Sequence, residues 1–327
     1  MRTISPRRAA SPAPRRRTAA VGVAAVACLA VSVAACSSSG SSTASSSSSS
    51  SANPLAPKAT GAVVVGSANF PESELLAQIY VDALQGKGIK VTPKFNIGAR
   101  EVYYPEIEKG AITIIPEYNG ALLTTSVDPT STAASTEEVN AALKAKLPSS
   151  LEILNSSSAE DKDSITVTQA TAAKDHLTSI SDLSPYAKDF IIGGPPEFKT
   201  RADGLVGLKK IYGLTFKSFS PLDESGPITI AALQSGKVQA ADVFTTTPQI
   251  ITDHFVSLAD PKDLFAAQNV TPLVYKSGVN STIESTLNSV SAVLTTEALL
   301  QMDKALTVDH ASYTQVASGF LSQEGLK

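Results

Sequence analysis

From Ala62 onward the chain alternates short apolar runs with amphipathic stretches, and that alternation leaves few folds open to it. Ala62-Val63-Val64-Val65-Gly66 is a β-branched run that reads as a buried strand. Residues 71–86 then place Leu75, Leu76, Ile79, Tyr80, Ala83 and Leu84 at helical spacing, with Pro71 suited to the first turn and Gly86 and Gly88 to the end. Strand, helix and strand follow over 89–95, 99–109 and 111–115. This βαβαβ rhythm predicts an α/β fold with largely parallel sheets and helices on both faces.

A second set starts near Ser164, with strands over 190–194, 215–219 and 238–244 and helices over 201–212 and 227–235. After Pro272-Leu273-Val274-Tyr275 the chain ends in helices over 281–293, 296–307 and 312–321. The two sets share a local pattern. In each, a helix ends at glycine (Gly110, Gly236) and a strand follows that delivers an aromatic at its carboxyl end, Tyr118 or Phe244. Ligands of open α/β sheets sit just outside the carboxyl ends of strands. The pair is therefore expected either to face a cleft between two lobes or to cap two separate cores.

The N-terminus carries six arginines and no acid before Cys36, followed by an apolar run over 19–35 that is short for a membrane span and has the charged-then-apolar order of a secretory signal. It ends Val33-Ala34-Ala35-Cys36, which resembles the lipobox of bacterial lipoproteins. That resemblance implies cleavage after residue 35, a lipid on Cys36, and residence on the extracytoplasmic face of the cell membrane. The arginine cluster leaves the export route open between general secretion and a twin-arginine signal. Residues 36–60 are dominated by serine and read as a solvated tether. Loss of the six arginines leaves 21 basic against 30 acidic residues, about −9, which argues against nucleic acid as a partner. Cys28 would leave with the signal, so the mature chain has no disulfide and must be stabilised by burial.

Several motifs occur in the order of one family. Gly66-Ser67-Ala68-Asn69-Phe70-Pro71-Glu72, Pro116-Glu117-Tyr118-Asn119-Gly120, residues 193–204 (Gly-Gly-Pro-Pro-Glu-Phe-Lys-Thr-Arg-Ala-Asp-Gly), residues 208–214 and residues 222–227 resemble the glycine betaine, choline and carnitine binding proteins of osmoprotectant ABC transporters. The resemblance implies a two-lobed periplasmic-binding-protein fold of the second type. Its lobe 1 would hold residues 61–165 and 272–327, and its lobe 2 residues 166–271, with crossings near Ser164–Val167 and Thr271–Val274. It also implies a monomer that delivers a small solute to a permease driven by a cytoplasmic ATPase, with no cofactor.

In that family aromatic faces hold the quaternary ammonium, each contributing about 0.5 to 2 kcal/mol, and an arginine fork holds the ligand carboxylate. By motif match, Tyr118 corresponds to a cage ring, Arg201 to the carboxylate-binding arginine, and Phe244 to a cage tyrosine without its hydroxyl. Ile165 and Thr229 stand near two further cage positions, while Ala68 and Ala121 replace polar residues of the pattern. This depleted cage leaves room for a different or bulkier solute, with Ser67, Asn69, Thr166 and Thr245 as hydrogen-bonding partners. A sensor signalling through a partner would have the same binding module. An enzyme is disfavoured: His176, His254 and His310 lack metal-ligand spacing, neither a GxSxG elbow nor a phosphate-binding loop occurs, and the pairs Glu137-Glu138 and Glu160-Asp161 read as solvated.

Overall fold

The computed structural model describes residues 62–327; Cys36, the signal and most of the tether lie outside them. Among the described residues, ten strands form two five-stranded sheets. The first contains β1 (Val63–Gly66), β2 (Val91–Lys94), β3 (Ile114–Tyr118), β4 (Leu151–Ile153) and β10 (Val270–Tyr275), in the order β2-β1-β3-β10-β4. The second contains β5 (Asp163–Val167), β6 (Ile191–Gly194), β7 (Ser218–Pro221), β8 (Ala240–Phe244) and β9 (Val256–Ser257), in the order β7-β6-β8-β5-β9.

The sheets are mixed rather than largely parallel. β1 runs parallel to β2 and β3, and β6 to β7 and β8. β10 is antiparallel to β3 and β4, and β5 is antiparallel to β8 and β9. The crossing between lobes is the reason. A strand arriving from the other lobe enters at the edge facing that lobe, where its neighbours end, and so must run against them. Val270 accordingly stands opposite Tyr118, the last residue of β3, and Asp163 stands opposite Phe244, the last of β8.

Ser164–Val167 lie within the second sheet and Thr271–Val274 within the first, so the chain passes from one sheet to the other just before β5 and just before β10. There the two passages bond to each other. The Asp161 N–H donates to the Gln268 carbonyl at 3.2 Å. The Asp163 N–H donates to Gln268 Oε1 at 3.0 Å, and Gln268 Nε2 donates to Asp163 Oδ2 at 2.7 Å.

The helices flank the sheets. They are α1 (Pro71–Gly86), α2 (Arg100–Glu108), α3 (Asn119–Leu122), α4 (Thr136–Lys146), α5 (Gln169–Asp175), α6 (Leu205–Tyr212), α7 (Pro227–Gln234), α8 (Gln249–Thr252), α9 (Ser281–Val293), α10 (Thr296–Thr307) and α11 (Tyr313–Gln323). In α1, Pro71 sits in the first turn, where a missing N–H costs nothing, and Glu72 and Glu74 favour the positive end of the helix. Its apolar residues are buried nearly all round, because α9 and α11 return to cover it and contribute Leu287, Val290, Phe320 and Leu321 to the same core. Side-chain caps from Asn280, Thr295 and Ser312 start the three C-terminal helices.

Gly120 is the second residue of α3, directly after β3, and sits against the second crossing. A Cβ there would lie 2.3 Å from the Ala267 carbonyl oxygen. Gly120→Ala is expected to cost about 1–3 kcal/mol, because backbone must move. Gly319, exposed in α11 with open space around it, is the counter-case, and Gly319→Ala is expected to stabilise by about 0.5–1 kcal/mol. Urea denaturation of the two variants reads both signs.

Candidate ligand cleft

A cleft of about 920 Å³ opens beside the carboxyl ends of β1 and β8. The turn after β1 supplies Phe70, the first turn of α1 supplies Glu72, the end of β8 supplies Phe244 and Thr246, α10 supplies Asp303, and the segment before α7 supplies Glu224. Three rings form one cluster. The Phe70 ring lies 5.2 Å from that of Phe244, edge to face, and 5.9 Å from that of Tyr118, so lobe 1 and lobe 2 meet through aromatic faces.

Glu72 ties the lobes together at this point. It is 5% exposed, and its carboxylate accepts the Tyr118 hydroxyl at 2.5 Å and the Thr246 hydroxyl at 2.7 Å. Burial raises its pKa well above the usual carboxylate range, helped by the nearby Asp303. Burial also lifts Asp303 to about 7, with Asp161 adding to the rise and Glu72 and Thr246 opposing it. Asp161 is itself buried and raised by desolvation, and it accepts the Thr246 N–H at 3.0 Å. It is therefore not the solvated residue that its polar surroundings suggested. Glu224 is raised to about 7, first by burial, against the pull of Arg201 and Arg100.

The expected site residues separate into groups. Phe244 walls the cleft, and Tyr118 stands one ring behind Phe70. Arg201 lies outside the cleft lining and forks onto Glu101 of lobe 1, with Nε and Nη2 each 3.0 Å from a carboxylate oxygen. Thr245 is exposed and accepts the Lys162 N–H at 2.9 Å, while its neighbour Thr246 points into the cleft.

Four of the expected residues are taken up by packing or local bonds. Ile165 is fully buried in the lobe 2 core, because the alternation along β5 turns it inward. Thr166, also fully buried, bonds Ser164 at 2.9 Å and Ser257 at 3.0 Å within that sheet. Thr229 bonds Asp223 at the start of α7. Ser67 accepts the Asn96 N–H at 2.8 Å and braces the turn after β1. Asn69 is exposed. The sequence reading passed over Phe70, Glu72, Asp161, Thr246 and Asp303. Phe70 and Glu72 were discoverable, since they sit in a quoted motif directly after a strand end. Asp303, in the middle of a C-terminal helix, carried no local signal.

Residues 61–323 match the family model described as the substrate binding domain of ABC-type glycine betaine transport system. The glycine betaine-binding protein YehZ of Escherichia coli (strain K12) is 28% identical over 281 residues, covering 82% of this chain and 92% of that protein. The ergothioneine transport permease/ergothioneine binding protein EgtU of Helicobacter pylori (strain G27) is 24% identical over 268 residues, covering 81% of this chain and 48% of that longer protein. Among solved structures, a glycine betaine/carnitine/choline ABC transporter protein superposes with a TM-score of 0.63 at 21% identity, covering 81% of this chain and 99% of the other. Ligand-free YehZ superposes at 0.56 with 27% identity, covering 81% of this chain and 99% of the other.

Proposed function

We propose, because this chain belongs to the substrate-binding domains of ABC-type glycine betaine transport systems, that it is an extracytoplasmic lipoprotein that captures a quaternary-amine solute between its lobes and hands it to a membrane permease. The observation that carries the ligand class is the ring cluster of Phe70, Tyr118 and Phe244, placed where the two lobes meet and backed by the buried carboxylate of Glu72. A quaternary ammonium has no N–H to donate, so it is held by ring faces and by negative charge, each ring contributing about 0.5–2 kcal/mol. Closure of the lobes by a hinge at the paired crossings would bury the solute.

Isothermal titration with glycine betaine, choline and carnitine tests this reading. Micromolar binding of at least one is expected, and no binding of any would overturn it. A second reading, a bulkier solute, draws on the cleft volume of about 920 Å³, which falls in the range of pockets for drug-sized ligands. Ergothioneine belongs in the same titration series for that reason.

Anchoring through Cys36 rests on the sequence pattern of residues 33–36. The Cys36→Ser protein is expected to leave the membrane fraction, and retention there after carbonate washing would sink the anchor. A flexible tether would keep the binding domain near its permease at high effective concentration.

A further inference from the structure

We infer that the cleft selects a solute with net positive charge over a zwitterion, with Asp303, Glu72 and Glu224 as the counter-charges and Phe70 and Phe244 as the ring walls. This rests on the quaternary-amine reading above and specifies which member of that class the site prefers.

Two polar atoms point to a missing partner. Asp303 is 4% exposed and Glu224 9% exposed; both line the cleft, and Asp303 Oδ1 and Glu224 Oε2 have no hydrogen-bond partner. A buried carboxylate oxygen without a donor is costly unless something meets it. Nothing facing Asp303 supplies a fixed positive charge: Glu72, whose carboxyl shares a hydrogen bond with it, and Asp161 are both acidic, the Tyr118 and Thr246 hydroxyls donate to Glu72, and His310 and Tyr313 stand on the cleft wall. A cation lying on the Phe70 and Phe244 rings would place its charge next to these oxygens.

A zwitterion such as glycine betaine also needs a donor for its carboxylate, and the cleft offers little. Among the described residues, its charged lining is Glu72, Glu224, Asp253 and Asp303, with no lysine or arginine. Arg201 forks onto Glu101, and Arg100 onto Glu117. Glu224 has Arg201, Arg100, Glu197 and Asp163 around it, so the arginines there already balance acids. Two helix N-termini along the wall are occupied too: Asp223 accepts the Ile228 and Thr229 N–H groups of α7, and Ser312 and Gln315 form a capping box on α11. Choline, with a hydroxyl in place of the carboxylate, avoids this mismatch.

Titrations of the full soluble domain with choline and with glycine betaine at pH 7.5, each in phosphate and in Tris, test the inference. Choline is expected to bind at least ten-fold more tightly and to release protons, seen as a binding enthalpy that differs between the buffers. Asp303→Asn is expected to bring the two affinities within about two-fold of each other while the melting temperature holds or rises. Should that variant misfold, Glu224→Gln is expected to narrow the ratio in the same direction. Glycine betaine or ergothioneine binding as tightly as choline overturns the inference and leaves the quaternary-amine reading standing. An unchanged ratio in a folded variant overturns it as well. If no quaternary amine binds at all, the broader reading fails and this one with it.

Discussion

Arg100→Ala is expected to destabilise the protein by about 3–5 kcal/mol, the largest loss for any single side chain outside the apolar core. Glu117 is fully buried in β3, and its carboxylate is met by Arg100 Nε at 3.1 Å to both oxygens and by Nη2 at 2.9 Å. The Tyr103 hydroxyl at 2.8 Å and the Tyr118 N–H at 3.1 Å complete the shell. Removal of the guanidinium strands a charge in the core beneath the ring cluster, whereas removal of both partners does not. Arg100→Met combined with Glu117→Leu is therefore expected to regain most of the stability. Urea denaturation of the single and double variants measures the difference; equal losses in both would show that packing rather than charge holds the site. Because Glu117 also fixes the Tyr118 backbone, the double variant is expected to fold well yet bind solute more weakly.

This ion pair also explains where the sequence was hard to read. The helical periodicity of residues 71–86, 281–293 and 296–307 carries its own boundaries, and α1, α9 and α10 match it residue for residue. β3 does not. The apolar run ends at Ile115, and only the pattern shared with Phe244 carries the strand on to Tyr118, where β3 ends. Pro116 stands opposite Pro272 in the neighbouring strand, and the charge of Glu117 is met by an arginine seventeen residues earlier in another element. Neither compensation is local, so neither is visible in a window of sequence.

Arg201 is a similar case. Its motif suggested the start of a helix, but α6 begins only at Leu205, and the turn before it turns Arg201 towards Glu101 in the opposite lobe. Motif order was enough to identify the family and two of the three rings. The carboxylates that give the cleft its charge come from α1, from the segment before α7 and from α10, far apart in the chain, and only the folded structure collects them.

That collection should invert the usual dependence of stability on pH. Ion-paired carboxylates have lowered pKa values and stabilise a protein as pH rises, but Asp303 and Glu224 are each raised to about 7, chiefly by desolvation. The unfolded chain gives up these protons near the ordinary carboxylate values of 3.8 and 4.5, while the folded protein keeps them until about 7. Between those limits the native state binds more protons, so its stability is fully present at low pH and falls as pH rises through 7. From pH 5.5 to 8 the loss is about 2 kcal/mol for each group, roughly 4 kcal/mol together. Asp128 and Asp182, lowered to about 2, act only below pH 4 and do not offset it. Denaturation midpoints in urea across this range, without solute, are expected to fall steadily, and a flat or rising profile would contradict the raised values. Repeating the series in saturating choline separates the two sources of the slope. A bound cation supplies the missing counter-charge and favours the ionised carboxylates, so the loss between pH 5.5 and 8 is expected to shrink, and Asp303→Asn is expected to remove about half of it even without solute.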